Sequence, residues 1–201
     1  MVATKAHAKG REEATLALLD AAERMLVSDG YARITTRRVA AEAGVNHGLV
    51  HYYFGSMEEL LLQVLERFTG RLVARQREMY EADMPFIEKW RTAMRYLEED
   101  LRAGYPKVWL ELQAMSWNNR GLRERVVAVD GEWRSTLRTA FGSALHEYGL
   151  DPDAFPLEAL VSLVITFNKG IELEQLNGIR SGHQELLAWI DDWLRSQEDG
   201  R

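Results

Sequence analysis

From Arg11 to Ser196 the chain repeats apolar residues every three to four positions, and nowhere does it sustain the strict alternation of a half-buried strand. That one period restricts the fold to packed helices. Turn and cap residues divide it into about nine. The first runs from Arg11 to Asp29 with Leu18, Ala21, Ala22 and Met25 inward, and Ser28-Asp29-Gly30 ends it. A short helix follows, capped by Thr36 and reaching Ala43, with Val39, Ala40 and Ala43 inward. Gly44 breaks it, and Asn46 caps a third helix to Phe54. Ser56 and Glu59 form a capping-box pattern that opens a long helix from Met57 to Ala82. Later helices are expected over 85–101, 106–117, 121–148, 156–177 and 183–196. The end segments 1–10 and 197–201 are expected to be mobile.

At 201 residues the chain can bury roughly 70% of its unfolded surface and needs no covalent staples. It has no cysteine, which excludes disulfides, thiolate metal sites and thiol catalysis and suits a reducing cytoplasm. The first ten residues hold no apolar core of a signal peptide. The most apolar run, Ala159 to Phe167, is far shorter than the roughly 18 residues of a membrane span. A cytoplasmic protein without a membrane partner is therefore expected. Net charge is −6, distributed as +1 over residues 1–57 and −7 beyond. Phosphates would be repelled by the acidic part and met by the head.

Two short helices joined at a glycine and braced by a preceding helix make a helix-turn-helix. A second helix that enters a major groove about 12 Å wide needs an apolar inner face and hydrogen-bonding tips near its start. Val45, Val50 and Phe54 supply the first; Asn46 and His47 supply the second. His51, Tyr52 and Tyr53 come later, where longer polar side chains reach phosphates. Gly48 allows close approach to the bases, and Leu49 outward would meet a thymine methyl. Thr36 and Arg37 open the preceding helix, whose amides favour a phosphate.

The stretch ITTRRVAAEAGVNHGLVHYYFGSMEEL, Ile34 to Leu60, resembles the DNA-binding head of the TetR family of bacterial transcriptional regulators. The resemblance spans roughly residues 11–68; beyond it only helix count and lengths agree. It implies an all-α fold, a three-helix head over 11–56, and a larger effector-binding and dimerisation domain over 57–201. It implies that Thr36 binds phosphate and Arg37 a base or phosphate. Asn46 and His47 would meet base edges, and His51 and Tyr53 would grip phosphates. It also implies a homodimer built from the last two long helices. Two positions depart from the family pattern. Met57 stands where lysine is common, and His51 where tyrosine is common. One lost phosphate contact lowers the salt slope by about 0.9. Lys5, Lys9 and Arg11 form either a compensating arm or an idle tail.

Each marked residue has a plainer reading. His47 and His51 are four apart, as two metal ligands would be, but HGLVH lacks the glutamate of a zincin helix and a third ligand. No metal or other cofactor is expected. Arg37-Arg38 reads equally as a solvated pair. Trp90, Met94, Trp109, Trp117, Trp133, Phe141 and Phe167 are core by default. Alternatively they line an effector site, with Gln113 and Asn168 as orienting groups. Val161 to Phe167 is apolar nearly all round, and such a helix is covered on every side. Val161 and Ile165, with Leu186, Ile190, Trp193 and Leu194 of the last helix, are the expected dimer face.

An enzyme is not expected. A di-iron bundle needs Glu-x-x-His pairs, and no glutamate has a histidine three residues on. There is no phosphate-binding glycine loop with its lysine and no G-x-S-x-G elbow. The expected function is a homodimeric repressor. It binds a near-palindromic site on double-stranded DNA and is released by a small amphipathic or apolar ligand. The alternative is a helical interaction module whose head no longer binds DNA strongly.

Overall fold

The computed structural model describes residues 2–199, with side chains from Gly10 to Glu198. Among the described residues there are nine α-helices and no strand. They are α1 (Val2–Asp29), α2 (Thr36–Glu42), α3 (Gly48–Phe54), α4 (Met57–Glu81), α5 (Phe86–Ala103), α6 (Tyr105–Ser116), α7 (Arg120–Tyr148), α8 (Leu157–Leu176) and α9 (His183–Asp199). A 3₁₀ turn, Tyr31–Arg33, separates α1 from α2. The helix starts at Val2, where a mobile tail to residue 10 was expected. Five of the seven residues of the segment ATKAHAK are alanine or lysine, both strong helix formers. At the other end α9 runs to Asp199, and residues 200–201 lie outside the described residues.

Two compact units result: Met1–Thr69 with Lys107–Val126, and Gly70–Pro106 with Val127–Arg201. Their boundary falls inside α4 at Gly70 instead of at residue 57, as the sequence had suggested. The reason is burial: Leu60, Leu61, Val64, Leu65 and Phe68 of α4 are all 2% exposed or less. They complete a core begun by Leu18, Ala21, Ala22 and Leu26 of α1 and Val39 and Val50 of α2 and α3. Val108, Leu112 and Leu122 belong to the same unit and are equally sealed. Ion pairs from Arg67 to Asp20 and Glu23 fasten α4 to α1.

The second unit has its own interior. Phe86, Ile87, Trp90, Ala144 and Leu194 form one cluster, and Leu137, Val161 and Ile165 form another. The rings of Tyr80 and Phe141 pack against both. Among the described residues no helix is long and apolar enough to cross a membrane.

The turn between α2 and α3 is set by Gly44 at φ +69°. Val45 N–H donates to Ala40 O at 2.9 Å and Gly44 N–H to Ala41 O at 3.1 Å, the paired bonds of a Schellman end. An added Cβ at Gly44 meets nothing within 4 Å. Gly44→Ala therefore isolates backbone strain, and thermal melting is expected to show a loss of roughly 1–2 kcal/mol.

Candidate nucleic-acid interface

Capping fixes where the reading helix begins. Thr35, not Thr36, is the cap of α2: it sits in extended backbone and its Oγ1 accepts from Arg38 N–H at 3.3 Å. Thr36 is the first helical residue and is half-buried. Asn46 Oδ1 accepts from Gly48 N–H at 2.8 Å, which starts α3 and leaves the amide Nδ2 as a free donor. His47 occupies the boundary position with no capping bond from its ring. Ser56 Oγ accepts from Glu59 N–H at 3.0 Å, so the next helix starts at Met57 as its sequence indicates.

Val50 and Phe54 point into the core. The opposite face carries Asn46, His47, Gly48 and His51, all exposed, and Tyr52, which is 74% exposed. Leu49 and Tyr53 are half-buried, so Leu49 is less outward than a thymine contact would want. The Tyr53 ring holds Tyr52 edge-on at 5.1 Å and carries the Arg11 guanidinium 5.8 Å from its centroid. His51 Nδ1–H donates to Gly55 O at 3.1 Å. That bond orients the ring and leaves Nε2 outward. The side chains of Lys5 and Lys9 lie outside the described residues.

The two arginines of α2 divide their work. Arg38 donates to Arg33 O at 2.7 Å and pairs with Asp29, whose carboxyl its hydrogen bond holds below the usual carboxylate range. Arg24 pairs with Glu42 at 3.2 Å. Arg37 is exposed and joins none of these pairs. Met57 is half-buried at the start of α4 and offers no charge.

One contact of this unit has no local sequence signal. The Glu111 carboxylate of α6 accepts from Tyr31 N–H at 2.9 Å, eighty residues away. Arg125 pairs with Glu66 and lies 3.6 Å from Glu59, and Asn119 bonds Glu58. The segment 107–126 thus clasps the head at the 3₁₀ turn and along α4.

The expected effector residues do not all converge. Trp90, Met94, Phe141 and Phe167 share one cluster of the second unit, with the Trp90 and Phe167 rings 6.2 Å apart. Trp133 joins the neighbouring cluster, and Asn168 is half-buried on α8. Trp109 and Gln113 are half-buried in the first unit. Trp117 is a correction: at 71% exposed it lines nothing in this chain. It stands just past the end of α6, where the chain turns to the surface. Periodicity missed Glu172, which lies four residues beyond Asn168 on the same face of α8. Burial and the neighbouring Asp100 push its carboxyl up to about 7, although Lys169 pulls the other way.

The expected dimer face is also corrected. Val161, Ile165 and Leu194 are buried inside the protomer, and Ile190 packs on the same interior. Val161, Ile165 and Leu194 have little surface left for a partner, and Ile190 is half-buried. The uncovered face of α8 runs through Ala159, Leu163, Thr166, Gly170 and Leu173, and that of α9 through Leu186, Trp189 and Trp193. Leu163 is 64% exposed and Trp189 67%.

An all-helical chain with a capped helix-turn-helix at one end defines a class of nucleic-acid-binding regulators. Residues 18–64 match the family of bacterial regulatory proteins described as the tetR family. This head, residues 18–64, is therefore similar to the DNA-binding head of the TetR family of transcriptional regulators. It is 41% identical over 56 residues to the transcriptional regulator BetI of Rhizobium meliloti, a match spanning 28% of either chain. A transcriptional regulator of Saccharomonospora viridis, solved with choline, superposes with a TM-score of 0.73 at 22% identity, over 92% of this chain and 95% of that one. The regulator FadR of Bacillus subtilis, solved with stearoyl-CoA, gives 0.69 at 18% identity, over 89% and 96%. The two structures share the fold of this chain along nearly its whole length.

Proposed function

We propose that this regulator acts as a homodimeric repressor whose two α3 helices read successive major grooves of a near-palindromic site. The supporting observation is the outer face of α2 and α3. It presents Arg37 of α2, and Asn46, His47 and His51 at and along α3, to solvent, with Asn46 Oδ1 bonded to Gly48 N–H where α3 starts. An exposed arginine outside the pairs of its own unit is a ready donor to guanine or phosphate. The Asn46 amide and the His47 ring lie near the helix start, where base edges are met. Replacing Arg37 and His47 together by alanine is expected to weaken operator binding at least thirtyfold, about 2 kcal/mol, in fluorescence anisotropy. The melting temperature should not move. Unchanged affinity would support the alternative, a helical interaction module.

Gly48 supplies a second test. A Cβ there would lie 3.3 Å from Asn46 Oδ1 and touch nothing else within 4 Å, and φ is not in the left-handed region. Gly48→Ala should therefore leave stability unchanged or raise it by a few tenths of a kcal/mol. If backbone proximity to the bases matters, operator affinity should nevertheless fall about tenfold.

The second unit is proposed to bind a small-molecule effector and to carry the dimer contact on the outer faces of α8 and α9. The two solved relatives hold choline and stearoyl-CoA, which supports a ligand role for this part of the fold. The chain crosses between its units within α4, α6 and α7. A ligand that alters the second unit would act on the head through those crossings, with the Glu111 to Tyr31 bond as one route. It needs differential affinity for two states, typically 1–3 kcal/mol of coupling. Near-complete switching needs about 5.5 kcal/mol.

A further inference from the structure

A head that meets DNA needs cations for the phosphates, and several of its arginines are already engaged. Arg24 pairs with Glu42, and Arg38 pairs with Asp29. Arg33 is a further charge acting on Asp29. At the start of α4 stand Met57, Glu58 and Glu59, with Glu58 bonded to Asn119 and Glu59 3.6 Å from Arg125. The start of α4 itself supplies no cation.

Arg11 differs. It is exposed on α1 and joins no ion pair among the described residues. The residues three and four positions on, Ala14 and Thr15, carry no charge. Glu12 and Glu13 project about 100° and 200° around the helix from it. Its guanidinium lies over the Tyr53 ring of α3, 5.8 Å from the centroid. That distance is near the outer limit of a cation–π contact, so the ring orients the cation and leaves its N–H donors open. The same ring holds Tyr52 edge-on at 5.1 Å. Tyr53 is one turn beyond Leu49, on a flank of α3 next to the outward Gly48 and Tyr52. His51, two positions before Tyr53, points about 160° away to the other flank. A helix in a groove about 12 Å wide has a phosphate backbone along each side. His51 faces one of these, and the pair of Arg11 and Tyr53 faces the other.

We propose that Arg11 is a DNA-phosphate contact, delivered by α1 to the backbone on the Tyr53 side of the groove, with the Tyr53 ring as its positioning platform. The planar guanidinium keeps its face on the ring and turns an N–H edge to two phosphate oxygens. The proposal rests on reading the head as a DNA-binding unit and adds a residue of α1 to the reading helix. It also makes Tyr53 act through Arg11, where the sequence suggested a direct grip by its hydroxyl. A phosphate contact carries no sequence information, so it acts alike on every duplex.

The test is fluorescence anisotropy of the full chain between about 50 and 200 mM KCl, on a random-sequence duplex and on the duplex enriched by selection. Arg11→Ala should lower the slope of log affinity against log salt by about 0.9 for each bound head, or about 1.8 for a twofold pair. Affinity for both duplexes should fall at least tenfold at about 100 mM KCl, with the melting temperature unmoved. Arg11→Lys keeps the charge and should keep the slope. Tyr53→Phe keeps the platform without its hydroxyl and should bind as the wild type does. An unchanged slope in Arg11→Ala, the same slope loss in Arg11→Lys, or a Tyr53→Phe variant as weak as Arg11→Ala overturns the proposal. The ratio of the two wild-type affinities tests the sequence-reading role separately. If that ratio is large while Arg11→Ala keeps the slope, the phosphate contact falls and the reading survives. If the wild type binds both duplexes equally while Arg11→Ala loses slope on each, the contact stands and the reading falls.

Discussion

Leu163→Glu combined with Trp189→Glu is expected to turn the protein into a monomer at micromolar concentration and to abolish specific operator binding. Both side chains are about two thirds exposed on consecutive helices, in stripes that are apolar or small along their length. A twofold axis uses each residue twice, so four large side chains would leave water together. At roughly 25 cal/mol per Å² this amounts to roughly 6 kcal/mol, or about four powers of ten in the dimer constant. The introduced carboxylates add like-charge repulsion across the axis. Sedimentation velocity reads the mass directly. The monomer should melt near the wild-type temperature of the dissociated chain, because neither residue belongs to the protomer core. A variant that stays dimeric would place the interface elsewhere.

Glu172→Gln is expected to stabilise the protein by about 3 kcal/mol at pH 8 relative to its effect at pH 4. The sign follows from the direction of the shift. Glu172 is raised from 4.5 to about 7 in the folded chain by burial and by Asp100. Below pH 4.5 the group is protonated in both folded and unfolded states and costs nothing. Between pH 4.5 and 7 the unfolded chain releases this proton first, so stability falls as pH rises. Above 7 the loss is complete. Glutamine carries no such dependence. Urea denaturation of both proteins at pH 4, 6 and 8 should show curves that diverge with pH. Parallel curves would mean that Glu172 is solvated in the folded state.

Legibility in the sequence followed the range of the interaction. The Gly44 turn, the Asn46 start of α3 and the Ser56 cap are decided within six residues, and the residues themselves announce them. The choice between Thr35 and Thr36 was not legible. Two adjacent threonines carry the same hydroxyl, and only extended backbone at Thr35 selects the cap. Nor was the outer face of α8. Val161, Ile165, Leu163 and Leu173 are equally apolar, and periodicity says that the helix is covered all round without saying which side is covered by its own chain. Trp117 read as a core aromatic because composition cannot see the end of a helix. The clasp from Glu111 to Tyr31 and the burial of Glu172 depend on contacts across helices distant in sequence. Of the proposed DNA-facing residues, the sequence named Arg37, with Arg37-Arg38 as a solvated pair for the alternative. The structure gives Arg38 an intramolecular partner and leaves Arg37 outward.

Selection of bound sequences from random duplex DNA by the wild-type protein tests the central claim most directly. If the exposed face of α3 reads the major groove in twofold pairs, the enriched sites will be near-palindromes with half-site centres about 10 base pairs apart, or a multiple of that. Enrichment of asymmetric single sites, or none above random, would contradict it.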